Sequence, residues 1–217
     1  MTVVFVTATG TEVGKTWWTA ATTRALRTGS VSVSARKPAQ SFDPADGTRT
    51  DAEELAAATG ERIRAVRSEE FSFARPLAPP MAADALGMRP FLVADLVAAM
   101  EPSDAAITFV EGAGGLRSPM AHDGDNRDLA RALAPDLILV VAEAGLGTIN
   151  LVRLTVEALD PLDIAVVVAL NRFDPDDAVH AANLGWLRDR DRLRVVTDPA
   201  ELADHLVNPG ARVGTPS

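Results

Sequence analysis

Val3–Arg27 reads VVFVTATGTEVGKTWWTAATTRALR. The apolar run Val3–Val6 has the character of a short strand buried on both faces. Thr7–Gly14 is a turn-rich segment, and Lys15-Thr16 opens a stretch of helical composition. Strand, Gly/Thr loop, Gly-Lys-Thr and helix, in that order, form the layout of a phosphate-binding loop. Backbone N–H groups in such a loop and at the helix N-terminus point at one place and favour an anion there. The lysine adds a mobile positive charge, and the threonine hydroxyl can ligate Mg²⁺. The strict pattern has its first glycine five positions before the glycine of Gly-Lys-Thr. Thr9 stands in that place and the nearest glycine is Gly10, so this loop is a variant.

Working outward, the chain has 217 residues, a length that suits one domain with a sheet covered on both sides. Apolar residues make up 47% and charged residues 24%, which fits a soluble globular enzyme. The net charge of −9 opposes a nucleic-acid role, since phosphate backbones require clustered Lys and Arg. No apolar run is long enough to cross a bilayer, and no basic leader precedes the first strand, so no membrane partner and a cytoplasmic location are expected. The absence of cysteine excludes disulfides, thiolate metal sites and a cysteine nucleophile. The histidines His122, His180 and His205 have no spacing that suggests a metal triad.

The rest of the chain alternates strands with helices. Lys15–Thr28 is a helix stopped by Gly29, and Ser30–Ala35 is the second strand, tipped by Arg36-Lys37-Pro38-Ala39-Gln40-Ser41. Asp51–Thr59 is a helix ended by Gly60, with Asp51 either its N-cap or a carboxylate turned to a nucleotide's metal. Three prolines in Phe71–Pro80 prevent a long regular element, and Met81–Leu86 and Pro90–Met100 read as helices. Ala105–Val110 is an apolar, central strand followed by Glu111-Gly112-Ala113-Gly114-Gly115. An acid at the tip of a buried strand can reach Mg²⁺, while glycines let a ligand approach the backbone closely.

Asn126–Leu133 is a helix, Leu137–Ala142 a buried strand ending in Glu143–Asn150, and Leu151–Leu159 a helix. Ile164–Leu170 is a strand ending in Asn171-Arg172, where the asparagine either reads a nucleotide base or makes a turn. Val179–Leu187 is a helix, Leu193–Val196 a short strand, Ala200–Val207 a helix, and 208–217 a loose tail. This alternation predicts one α/β domain over 1–217, a three-layer, doubly wound, mostly parallel sheet with helices on both faces, P-loop NTPase-like. Strand tips Thr9–Thr16, Lys37–Ser41, Glu111–Gly115, Gly145–Asn150 and Asn171 then share one edge, where open α/β sheets bind ligands.

Together these segments resemble dethiobiotin synthetase: TATGTEVGKT (Thr7–Thr16), KPAQS (Lys37–Ser41), TDAEEL (Thr50–Leu55), VEGAGG (Val110–Gly115), AGLGTIN (Ala144–Asn150) and LNR (Leu170–Arg172). The resemblance covers Thr7 to about Glu201. It implies an ATP- and Mg²⁺-dependent ligase of biotin synthesis that joins 7,8-diaminononanoate to CO2 and closes the ureido ring, working as a homodimer. By position it implies that Lys15 and Lys37 are catalytic and that Thr16, Asp51 and Glu111 hold the metal. Nucleotide contacts fall on Glu12, Val13, Gly14, Lys15, Thr16, Trp17, Asp51, Glu111, Gly112, Ala113 and Gly114, with Asn171, Arg172, Thr197, Asp198, Pro199 and Glu201 on the base side. Substrate contacts fall on Ser41, Gly115 and Asn150. The chain departs from the pattern at Ala8, where the family usually has the loop's first glycine, and at Val196–Pro199, which lacks an Ile-Pro. If position 8 needs a positive φ, Ala8 costs about 1 kcal/mol or more.

The alternative is a switch ATPase of the ParA/MinD type. Those proteins carry a second lysine five residues before the loop lysine, where this chain has Gly10. An amidating synthetase of the cobyrinate type normally needs a glutaminase domain with a cysteine, and a regulatory, non-catalytic member of the fold would not need Lys15, Thr16, Lys37, Asp51 and Glu111.

Overall fold

The computed structural model describes residues 1–208. Its strands are β1 (Thr2–Ala8), β2 (Val33–Arg36), β3 (Gln40–Ser41), β4 (Ser72–Phe73), β5 (Ile107–Glu111), β6 (Pro119–Ala121), β7 (Gly124–Asp125), β8 (Leu137–Glu143), β9 (Ala165–Asn171) and β10 (Arg194–Val196). Its α-helices are α1 (Lys15–Thr28), α2 (Asp51–Thr59), α3 (Ile63–Val66), α4 (Pro79–Ala85), α5 (Val93–Ala98), α6 (Asn126–Leu133), α7 (Thr148–Leu159), α8 (Ala178–Gly185) and α9 (Pro199–Val207).

The main sheet has six strands in the order β10-β9-β8-β1-β5-β2, every pair parallel. All six carboxyl ends therefore lie on one edge, as the alternation of elements predicts. Successive residues of each strand feed opposite faces. Phe5, Val110, Ile138, Val140, Val168 and Leu170 belong to one core. Val4, Val6, Phe109, Leu139, Val141 and Ala169 belong to the other, with Trp18, Leu26 and Leu202 from α1 and α9. Burial on both faces explains why these strands read as unbroken apolar runs rather than as alternation. The chain begins in the middle of the sheet at β1, moves outward to β2, returns through β5 and then builds the opposite half. The ends of β5, β1 and β8 thus stand at the reversal of winding, the usual ligand crevice of this architecture.

Several boundaries differ from the sequence reading. The second strand starts at Val33, not Ser30, because Ser30 (φ 62) closes the end of α1 through its N–H bond to Arg27 O. Helix α4 starts at Pro79, since proline suits the first turn, and α5 is shorter than the expected 90–100. Helix α7 starts at Thr148, after Gly147 (φ 88), so Asn150 lies within a helix rather than on a strand tip. Helix α8 runs on into a wider turn over Trp186–Arg190. Of the expected tail, all but Asn208 lies outside the described residues.

Candidate active site

The chain leaves β1 through Thr9, whose N–H still bonds Val141 O at 3.0 Å. Ala8 is a fully buried strand residue and is not among the residues with positive φ. The missing glycine therefore brings no backbone strain. The conformational demand falls instead on Glu12 (φ 61) and Gly14 (φ 97). At Gly14 space matters as well as φ. A Cβ there would lie 2.2 Å from Asn171 Nδ2. Asn171 ends β9 and reaches across to the loop. Its Nδ2 donates to Val13 O at 3.0 Å, and its Oδ1 accepts from Trp18 Nε1 at 3.1 Å. Both ends of the side chain expected to read a base are thus engaged with the loop and its helix.

Lys37 is the first residue beyond β2 and is 1% exposed. Its ammonium donates to Glu111 Oε1 at 2.9 Å and Gly112 O at 3.0 Å, and pairs with Asp51 Oδ2 at 2.6 Å. Three acceptors match the three protons of an ammonium. Glu111, the last residue of β5, is fully buried and also accepts from Thr16 Oγ1 at 2.7 Å and Thr19 Oγ1 at 3.0 Å. Asp51 is not the N-cap of α2. Thr50 caps it, with Glu53 closing the box by accepting from Thr50 N at 2.7 Å. Asp51, on the first turn, is left to face Lys37 and Thr16, the latter at 2.8 Å.

Burial opposes the charge of Lys37, but Asp51 and Glu111 outweigh it and raise its pKa above the ordinary lysine value. The charge of Lys37 brings Asp51 down to about 2, against burial, with hydrogen bonds from Lys37 and Thr16 adding to the effect. Lys15 is pushed the other way. Burial and then the charge of Lys37 lower its pKa, against Glu111 and Asp51.

The donor set fits a hard divalent cation. Thr16 Oγ1 lies within 2.8 Å of oxygens from two carboxylates, yet a hydroxyl carries one proton and can satisfy only one of them. Among the described residues no three His, Asp or Glu gather as ligands. Mg²⁺ ordinarily takes one or two carboxylates and completes its shell with phosphate oxygens and water.

Residues 2–198 match the family described as an AAA domain. The ATP-dependent dethiobiotin synthetase of Anaeromyxobacter dehalogenans (strain 2CP-C) is 40% identical over 209 residues, 92% of this chain and 92% of that one. The chain belongs to the ATP-dependent dethiobiotin synthetases. The synthetase of Caulobacter sp. (strain K31) is 36% identical over the full length of both chains. Among solved structures, a plasmid partition protein from Borrelia burgdorferi covers 96% of each chain with a TM-score of 0.57 at 11% identity, which is likeness of fold alone.

In this synthetase the structure brings Lys15, Thr16, Lys37, Asp51 and Glu111 together. Gly115 is pressed against the phosphate loop, where a Cβ would lie 3.3 Å from Gly10 Cα. Ser41 sits on β3 with a buried hydroxyl that has no partner among the described residues. Trp17 is exposed and meets Trp18 edge to face.

Thr197–Glu201 follow β10, next to the end of β9. There Glu201 accepts from Thr197 N, Asp198 caps α9, and Pro199 is that helix's first residue. Arg172 (φ 54) pairs with Glu143 at 2.8 Å, both exposed. Asn150 is exposed on the first turn of α7 and makes no hydrogen bond to this cluster among the described residues. The sequence reading missed Trp18 and Thr19, which lie one helical turn after Gly14 and Lys15 and so face the same way. It also missed Asn126 and Asn183, whose side chains hold backbone carbonyls of the loops after β5 and β8.

Proposed function

We propose that the protein joins 7,8-diaminononanoate to CO2 and closes the ureido ring of dethiobiotin, converting ATP to ADP and phosphate. The observation that carries this reading is Lys37, buried between Asp51 and Glu111 beside a phosphate loop. Lys15 and Lys37 are balanced there by two carboxylates, so the lysines alone do not neutralise a polyphosphate. The loop N–H groups and a divalent cation supply the remainder. Mg²⁺, held by Thr16, Asp51 and Glu111, would neutralise phosphate charge when bound.

One substrate amine captures CO2 as a carbamate. A carbamate oxygen attacks the γ-phosphorus, ADP leaves, and a carbamic–phosphoric anhydride forms. The second amine attacks its carbonyl carbon, phosphate leaves, and the amine protons pass to solvent. No protein nucleophile is needed, in keeping with a chain that has no cysteine. The protein's part is positioning and charge. Glu12–Trp17 hold the phosphates, and Lys37 stabilises charge on the transferring group. The hydroxyl of Ser41 and the backbone of Gly112–Gly115 orient the substrate. Asn171, Arg172 and Thr197–Glu201 form the base side.

A homodimer belongs to the same reading. Leu146, Leu151 and Leu154, on and just before α7, are exposed, with Asn150 among them, and an apolar face of this kind supports a second copy. Asn150 would then meet substrate across that interface. No helix among the described residues is long and apolar enough to cross a membrane.

The test is ADP release from purified protein with ATP, Mg²⁺ and bicarbonate, with and without the diamine. Release that requires the diamine supports the ligase. Diamine-independent hydrolysis stimulated by DNA or lipid overturns it in favour of a switch ATPase.

A further inference from the structure

One side chain shapes the glycine loop after β5. Asn126, the first residue of α6, is fully buried. Its Nδ2 lies 2.7 Å from Ala113 O, 2.8 Å from Gly115 O and 3.3 Å from Ser118 O. Three carbonyls converging on one end of an amide require its NH2 group at that end, so chemistry fixes the orientation. The other end, Oδ1, is buried without a hydrogen-bond partner among the described residues. It occupies the place of a missing side chain: a Cβ on Gly112 would lie 1.9 Å from it. Gly112 is a glycine because Asn126 stands there.

The clamp sets the polarity of the loop. Its carbonyls at 113, 115 and 118 turn inward to Asn126, and Gly112 O accepts from Lys37. Most of its N–H groups are also taken. Gly112 N bonds Val6 O, Gly115 N bonds Ser118 Oγ, and Leu116 N bonds Ala8 O. Ala113 N has only the weak acceptor Met120 Sδ, at 3.3 Å, and Gly114 N, in a residue with φ 69, has no partner among the described hydrogen bonds. Ala113 N–H is thus turned to the sulfur of fully buried Met120, and the loop donors without a partner among the described hydrogen bonds are those of Gly114 and Arg117, Gly114 being two residues from the carbonyl that holds Lys37.

We propose that Asn126 is a positioning residue for ring closure. By gathering the loop's carbonyls it leaves the Gly114 N–H group to bind the oxyanion of the carbamate and anhydride. This rests on the function proposed above. An anion meeting N–H donors turned to the site is stabilised, whereas a loop free to present its carbonyls there would repel it.

Asn126→Asp keeps the shape and removes both N–H donors. Turnover should fall roughly tenfold to a hundredfold, as expected for a misplaced reacting group, with KM for bicarbonate raised and nucleotide affinity within about twofold of the parent. Asn126→Ala makes room for a Cβ at 112, so Gly112→Ala/Asn126→Ala should be no worse than Gly112→Ala alone. Parent-like kinetics in Asn126→Asp, loss of nucleotide affinity in step with turnover, or losses that multiply in the double variant would each overturn the proposal. Amide hydrogen exchange separates it from the function reading. If the parent shows no diamine-dependent ADP release, the ligase reading fails, and exchange in Asn126→Asp still decides the clamp. Faster exchange confined to 112–118 upholds it; unchanged or global exchange refutes it.

Discussion

Lys37 Nζ lies 2.6 Å from Asp51 Oδ2, although the two residues belong to different elements and are separated by a polar loop. β2 delivers the lysine as it leaves the sheet, and the first turn of α2 delivers the aspartate, freed from capping by Thr50. The contact ties the edge of the sheet to the helix that covers it, and Glu111 shares the same ammonium at 2.9 Å. One cation therefore compensates two carboxylates, one of them fully buried. Its loss should be felt in the fold and in the chemistry alike.

Lys37→Gln is one atom shorter, keeps two N–H donors in place of three and carries no charge. We expect kcat to fall roughly 10²-fold or more, the scale of losing a charge-stabilising donor. Leaving a buried carboxylate without its cation should also lower stability by about 3 kcal/mol. Steady-state ADP release and urea denaturation measure the two effects. Near-parental turnover would remove Lys37 from the mechanism.

The pair also predicts a pH profile. The pKa of Asp51 is depressed from 3.8 to about 2, so its stabilisation is present above 3.8 and is lost as pH falls towards 2. That of Lys37 is raised above 10.5, so its stabilisation is complete below 10.5 and lost only at higher pH. The advantage of the parent over Asp51→Asn should be flat between these limits and shrink outside them. Denaturation midpoints at a series of pH values test this. A difference that varies across neutral pH would contradict the pairing.

Ala8 and Gly14, on either side of the loop's turns, should differ in their effect on nucleotide affinity. Ala8→Gly restores the family's usual residue, but position 8 is an extended, buried strand residue, so the change should cost roughly 0.5–1 kcal/mol and gain no nucleotide affinity. Gly14→Ala forces a side chain into positive φ and against Asn171, and should lower both stability and nucleotide affinity, the former by about 1 kcal/mol or more. Fluorescent-nucleotide titration with thermal melts compares them. Tighter binding by Ala8→Gly would restore the strain argument for Ala8.

What was legible in the sequence was local. The limits of α1 and α2 follow from helical composition and from Gly29 and Gly60, and the apolar runs reveal β1, β5, β8 and β9 to within a residue or two. Glu111 stood out because an acid directly after a buried strand lies at a tip. The missed features depend on partners far apart in the chain. Gly14 answers to Asn171 and Gly112 to Asn126, each asparagine filling the volume that the glycine vacates. Neither side chain carries a periodic signal, and each occurs where a turn or helix start already accounts for it. Ser30 was misread for a related reason: alternating Ser and Val favours a strand, but the end of α1 claims that residue first.

Lys15 yields the last prediction. Burial and Lys37 hold its pKa below the ordinary lysine value of 10.5 in the free protein. A polyphosphate at the loop adds negative charge beside it and favours the ammonium, so its pKa rises on binding. Nucleotide binding should therefore take up protons at alkaline pH, where the side chain in the free protein loses its charge before the phosphate-bound one does. Calorimetric titrations in buffers of different ionisation enthalpy read the uptake directly. Lys15→Arg, charged at every accessible pH, should abolish it, because a guanidinium cannot titrate there. Proton release, or an uptake that persists in the arginine variant, would place the linkage on another group and remove the claim that Lys15 meets the phosphates.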